Sequence, residues 1–119
     1  MNISDNELNR IQEGFRGAFQ SQGGTGYGFW SGKKYNPAGK TGTAENDLYK
    51  DGKMIAEAAN LTLVGYAPYD DPEIAFAVVV PKLSKNRPAI MPINHAIGTG
   101  IMDTYFDMKK DKDKDEDEN

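Results

Sequence analysis

The residues best equipped for chemistry in this 119-residue chain stand together at Lys40-Thr41-Gly42-Thr43, inside Ala38-Gly39-Lys40-Thr41-Gly42-Thr43-Ala44-Glu45. A lysine on a strand edge supplies a fixed positive charge for a carboxylate. Thr41 and Thr43 are two residues apart, so on a strand their hydroxyls point to one side and both can donate to that carboxylate. Gly42 has no side chain, which lets a ligand backbone come close. The backbone N–H of Thr43 can face a ligand carbonyl as one half of an oxyanion hole.

The surrounding elements must hold that strand in place. Ser4-Asp5-Asn6-Glu7 spells a capping box, with a serine hydroxyl for one orphan N–H and a glutamate reaching back. Leu8, Ile11, Phe15, Ala18 and Phe19 then recur at helical spacing, and Gly23-Gly24 closes the helix. Gly23 to Gly32 is a glycine-rich loop whose Tyr27, Phe29 and Trp30 are expected to cover the core rather than line a groove. Ala38–Glu45, Leu61–Tyr66 and Ile74–Val80 read as strands. The last is almost continuously apolar and is expected to be buried on both faces. The turn at Ala67–Pro72 makes the last two an antiparallel hairpin. Asn46 to Ala59 is polar and holds the turn dipeptide Asp51-Gly52. Pro88 and Pro92 bracket the start of a final helix, with Ile93, Ile97, Ile101 and Tyr105 on an expected core stripe. The predicted fold is α/β of the α+β kind: three antiparallel strands with an N-terminal and a C-terminal helix on one face.

Composition narrows the options. The net charge is −4, and nucleic-acid binding calls for a basic face instead. There are no cysteines, which excludes disulfides and cysteine metal sites. No run approaches the roughly 18 apolar residues of a membrane span. Lys109 to Asn119 holds six acids and four lysines with no apolar residue, and it is expected to be a disordered, solvated tail. It lacks the glycine and terminal glutamate spacing of a calcium loop.

Lys-Thr-Gly on a strand resembles one signature of the serine transpeptidases and serine β-lactamases. Gly23-Gly24-Thr25, Val64-Gly65-Tyr66-Ala67-Pro68, the Ile74–Val80 strand and the closing helix extend the resemblance from Asn6 to about Phe106. It is closest to the class B penicillin-binding proteins, of the elongation type and from a Gram-positive bacterium. The resemblance implies a peptidoglycan D,D-transpeptidase. A serine attacks the D-Ala-D-Ala carbonyl of a stem peptide, an acyl-enzyme forms, and an amine of a neighbouring stem resolves it into a cross-link. β-Lactams mimic the dipeptide. Lys40, Thr41, Gly42 and Thr43 would be this chain's substrate-binding residues, with Lys40 and Thr43 also catalytic. No metal or organic cofactor is implied. The parent protein would be anchored in the bacterial cell membrane with this domain outside the cytoplasm, and the fragment itself would be soluble.

The family also needs Ser-x-x-Lys and Ser-x-Asn well upstream of Lys-Thr-Gly. Three lookalikes fail on context. Ser31-Gly32-Lys33-Lys34 sits in the glycine-rich loop, Ser4-Asp5-Asn6 caps a helix, and Ser84-Lys85-Asn86 follows the last strand. Residues 1–108 are therefore expected to be a C-terminal fragment of the transpeptidase domain, inactive alone because no activated serine exists. The family's sheet has five antiparallel strands, with Lys-Thr-Gly on the edge beside the cleft. The strand that normally pairs with Ile74–Val80 is missing from this chain, so that free edge is expected to drive self-association.

Other readings have weaker support. Gly39-Lys40-Thr41 would belong to a P-loop only with glycine at position 34, where Lys34 stands, and with a helix following. Lys40 could be an ordinary solvated strand lysine. The lone His95, near a helix start, is expected at the surface or in a cap rather than in catalysis. A non-catalytic interaction module on the same fold would show an exposed apolar patch. A fragment of a β-lactamase-like hydrolase is the other alternative, and the Val64–Pro68 stretch favours the biosynthetic branch over it.

Overall fold

The structure, a computed structural model, describes residues 2–85 and 92–118. The chain begins with α1 (Asp5–Gln20) and a single turn, α2 (Tyr27–Trp30). It continues through β1 (Ala38–Glu45), β2 (Leu48–Lys50), β3 (Lys53–Ala56), β4 (Ala58–Ala67) and β5 (Ile74–Ser84), and ends with α3 (Ile93–Asp117). Strands β1, β4 and β5 form an antiparallel sheet in that order, and β2 and β3 form a separate hairpin. Among the described residues no helix is long and apolar enough to cross a membrane.

The start of α1 follows its sequence signal. The Glu7 N–H donates to Ser4 Oγ at 3.3 Å, and the Ser4 N–H donates back to Glu7 Oε2 at 2.9 Å. Two orphan donors of the first turn are satisfied reciprocally. The serine hydroxyl also donates to that carboxylate, and these bonds hold the Glu7 carboxyl below its ordinary value. The helix stops at Gln20, before Gly23, whose φ of +88° suits glycine.

Register explains where the core lies. Gly39, Gly65 and Phe76 are partners across the three strands, as are Thr41, Leu63 and Val78. Partners in register project to the same face. Phe19 of α1 presses against Gly39, and Gly98 of α3 sits over Leu63 and Phe76. Both helices therefore cover one face of the sheet, as expected. Phe19, Trp30, Leu63, Ala67, Val78 and Met102 form the buried cluster there.

Four expectations are corrected. First, β5 is not buried on both faces. Val78 is buried, but Ala75, Ala77 and Val79 are exposed, Val79 to 63%. Those side chains alternate onto the face that neither helix covers. Second, the isoleucine stripe of α3 is not core. Ile97 and Ile101 are exposed, and His95, Gly98 and Met102 are buried instead. Gly98 lets the helix backbone approach Leu63 and Phe76, which rotates the isoleucines outward. Pro88, expected near this helix start, lies outside the described residues. Third, the charged tail continues α3 to Asp117. Alternating signs give helical pairs, Lys110 with Asp107 at 3.4 Å and Lys114 with Asp111 at 3.9 Å. Lys109 also reaches Glu73 at 2.7 Å. Extending a helix already nucleated by packing is far easier than starting one. Fourth, of the loop aromatics only Trp30 is fully buried, while Tyr27 and Phe29 are 38% and 44% exposed.

Candidate functional site

β1 lies at one edge of the sheet, with β4 as its partner, so residues 40–43 sit on the sheet margin. Lys40 and Thr43 are exposed, and Thr41 and Gly42 are half-buried. Strand alternation puts Thr41 and Thr43 on the helix-covered face and Lys40 and Gly42 on the other. The Lys40 ammonium folds back to donate to the Thr41 carbonyl oxygen at 2.8 Å. It therefore reaches the strand backbone beside the threonines despite leaving from the opposite face. The Thr41 and Thr25 hydroxyls are hydrogen-bonded to each other, Oγ1 to Oγ1 at 2.9 Å. Thr25 was not named as a site residue from the sequence, although the Gly23-Gly24-Thr25 pattern was a signal that could have found it. A Cβ at Gly42 would collide with the Thr62 hydroxyl. The missing side chain thus has a packing use within the sheet, besides the ligand approach expected from sequence.

The strand is held in place from below. The Phe19 ring stacks on Trp30 with centroids 4.6 Å apart, nearly parallel at 7°. The Gln20 amide donates to the Pro37 carbonyl at 2.9 Å, tying the approach to β1 to the end of α1. The Tyr69 N–H donates to Asn36 O at 2.8 Å, which links the same approach to the turn after β4. Residues 37–39 are buried. A strand fixed at its buried start presents its exposed residues on a rigid base.

Residues 1–102 match the model of the penicillin-binding protein transpeptidase domain. The chain belongs to that family. It is 37% identical to penicillin-binding protein 2A of Bacillus subtilis over 117 residues, which covers 95% of this chain and 16% of that protein. It is 41% identical to penicillin-binding protein 2B of Streptococcus pneumoniae over 83 residues, covering 68% of this chain and 12% of that one. The solved structure of penicillin-binding protein 2B from Streptococcus pneumoniae superposes with a TM-score of 0.71 at 35% identity, covering 87% of this chain and 16% of that chain. The chain thus spans about a sixth or less of the length of these relatives. As the motif resemblance implied, it groups with the class B penicillin-binding proteins.

Within this transpeptidase-family chain, the serines of the lookalike motifs have structural places. Ser4 caps α1, and Ser31 caps the C-terminus of α2. Ser84 ends β5, and the next residue, Lys85, pairs with Glu45 at 3.2 Å and Asp47 at 3.6 Å. Asn86 of that motif lies outside the described residues. Lys33 is engaged by Asp103 at 2.6 Å, and the Tyr35 hydroxyl donates to the same carboxylate at 2.8 Å. Burial pushes the Asp103 carboxyl up, but these two donors outweigh it and hold it below the ordinary carboxylate value. Burial and the facing Asp103 push the Tyr35 phenol far above its usual range.

His95 corrects the sequence reading. It is a core residue, 4% exposed, and is neither at the surface nor a cap. Its Nδ1 accepts from the Trp30 indole N–H at 2.9 Å, and its ring stacks on Phe29 with centroids 4.4 Å apart. Burial holds its pKa below the ordinary histidine value. An imidazole that accepts at Nδ1 is neutral there, so His95 serves as a polar joint between α2 and α3.

Proposed function

We propose that β1 is the carboxylate-holding strand of a serine D,D-transpeptidase that cross-links peptidoglycan stem peptides. Lys40 supplies the charge, Thr41 and Thr43 the hydroxyl donors, and the Thr43 N–H one half of the oxyanion hole. Gly42 leaves room for the ligand backbone. The chain brings this strand to the site but not the serine nucleophile, and by itself it is inactive. In the whole protein D-Ala-D-Ala peptides and β-lactams are the ligands. That protein is held at the cell membrane, with this domain outside the cytoplasm.

One observation carries the proposal: in a chain of the transpeptidase family, Lys40 and two hydroxyls lie at an open sheet margin, with the ammonium bound to the Thr41 backbone. Charge-assisted donors grouped in this way fit an anionic ligand end. Incubation with a fluorescent penicillin followed by denaturing electrophoresis tests both halves. The 119-residue chain should give no covalent band, and the same segment joined to its Ser-x-x-Lys-bearing portion should give one that fades in Lys40→Ala. A band from the chain alone, or labelling indifferent to Lys40→Ala, contradicts the proposal.

A further inference from the structure

The hydroxyl pair at the strand margin raises a question of proton direction. Thr41 Oγ1 and Thr25 Oγ1 lie 2.9 Å apart, each oxygen has one proton, and either can donate to the other. When Thr41 donates to Thr25, it has no proton left to offer a carboxylate. Both groups are rotors, however. If Thr25 turns to donate, Thr41 becomes the acceptor and its own proton swings outward. We propose that Thr25 is a positioning residue of the carboxylate site, which donates to Thr41 Oγ1 when an anionic ligand is bound and so fixes the Thr41 rotamer with its proton turned outward. The inference rests on the carboxylate-binding role proposed above. No bond to carbon forms or breaks, and each oxygen keeps its own proton throughout. Donation from Thr25 also polarises the Thr41 O–H, which strengthens its bond to the ligand.

The frame around Thr25 shows why its position is set so tightly. Gly24 and Gly26 flank it. A Cβ on Gly24 would lie 2.5 Å from the Gly17 and Ala18 carbonyl oxygens, and one on Gly26 would lie 2.6 Å from Cδ1 of Phe19. The Gly24 N–H donates to Ser21 O and the Gly26 N–H to Ala18 O, each at 2.9 Å. The opposite edge of the same Phe19 ring abuts Gly39. One buried ring therefore spaces the Thr25 turn from β1, acting one residue after Thr25 and two before Thr41. Thr25 is itself exposed. A neutral bond between accessible hydroxyls adds little to folding, so its loss should be felt at the site rather than in stability.

The test uses the complete transpeptidase that carries this segment, with second-order acylation rates for benzylpenicillin and for its methyl ester, which lacks the carboxylate. Thr25→Val should slow benzylpenicillin by about three- to tenfold, the range of one neutral hydrogen bond, and leave the ester unchanged. Thr25→Ser should restore the rate. Thr25→Ala, smaller than threonine and unable to clash, is run beside them and should match Thr25→Val. Equal rates in wild type and in both Thr25→Val and Thr25→Ala overturn the inference, as does an equal loss on both ligands. Thr41→Val separates the two levels. If it slows benzylpenicillin selectively while the Thr25 variants do not, only the positioning role fails. If it changes neither rate, the carboxylate-binding role fails with it.

Discussion

The Trp30 indole N–H and His95 Nδ1 meet at 2.9 Å in the core, 65 residues apart in sequence. Trp30 also stacks on Phe19, which touches Gly39 just before Lys40. A continuous chain of contacts thus runs from α3 through α2 and α1 to the start of the candidate strand.

That joint should make folding pH-dependent. Burial depresses the folded pKa of His95 below its ordinary value of 6.5. Below that value the unfolded chain binds a proton that the folded chain refuses, so stability falls as pH falls. Above it both states are neutral and the contribution is flat. Urea titrations followed by the single tryptophan should show the midpoint dropping from pH 7.5 to pH 5, and His95→Gln should reduce that drop. Identical midpoints across the range would contradict the buried, neutral assignment.

Glycines at helix–sheet contacts should be intolerant of even one methyl group. Gly98→Ala would place a Cβ 2.7 Å from Leu63 Cδ2 and about 3 Å from the Phe76 ring, and Gly39→Ala would strike the Phe19 ring and the Val64 carbonyl. Each should cost about 1–3 kcal/mol or more, as overpacking does. Gly14→Ala, on the open side of α1 with nothing within 4 Å, should instead stabilise by about 0.5–1 kcal/mol. Thermal melts of the three variants decide the point. Equal shifts in all three would mean that the helices do not seat on the sheet as described.

Strand β5 pairs only with β4 among the described strands, and its outward residues Ala75, Ala77 and Val79 are exposed. As an edge strand, β5 has a row of backbone N–H and C=O groups that β4 does not pair, and with an apolar outer face these invite pairing with a second copy. Light scattering across a concentration series should show the chain associating, and Val79→Lys should return it to monomer. A wild-type chain that stays monomeric at millimolar concentration would contradict this expectation.

Much of this fold was legible because local signals and tertiary packing agree. The Ser4/Glu7 capping box, the bounds of β1 and the β4–β5 hairpin all follow from patterns within a few residues of each other. The failures come where packing depends on a small residue or a distant one. Ile97 and Ile101 carried the apolar period of α3, yet Gly98 chose the buried face by allowing close approach. His95 gave no hint of Trp30, because nothing local reports a partner so far along the chain. The tail from Lys109 lacks apolar residues, but its alternating charges and the Glu73 contact carry the helix onward. At the candidate site the four residues of β1 could be named from their types and order. Thr25 stands in the legible Gly23-Gly24-Thr25 pattern, but its pairing with Thr41 does not show there, because a hydroxyl in a glycine-rich loop meets its partner only once Phe19 has set the spacing.

The central claim is that Lys40 holds the carboxylate end of a wall peptide or of its β-lactam mimic. The most direct measurement is the acylation rate of the complete transpeptidase carrying Lys40→Gln, with benzylpenicillin and with its methyl ester. A charge-assisted hydrogen bond is worth about 1.5–3 kcal/mol, so the penicillin rate should fall roughly 10- to 100-fold while the ester rate stays within about twofold. Equal losses on both ligands, or no loss on either, would contradict the account.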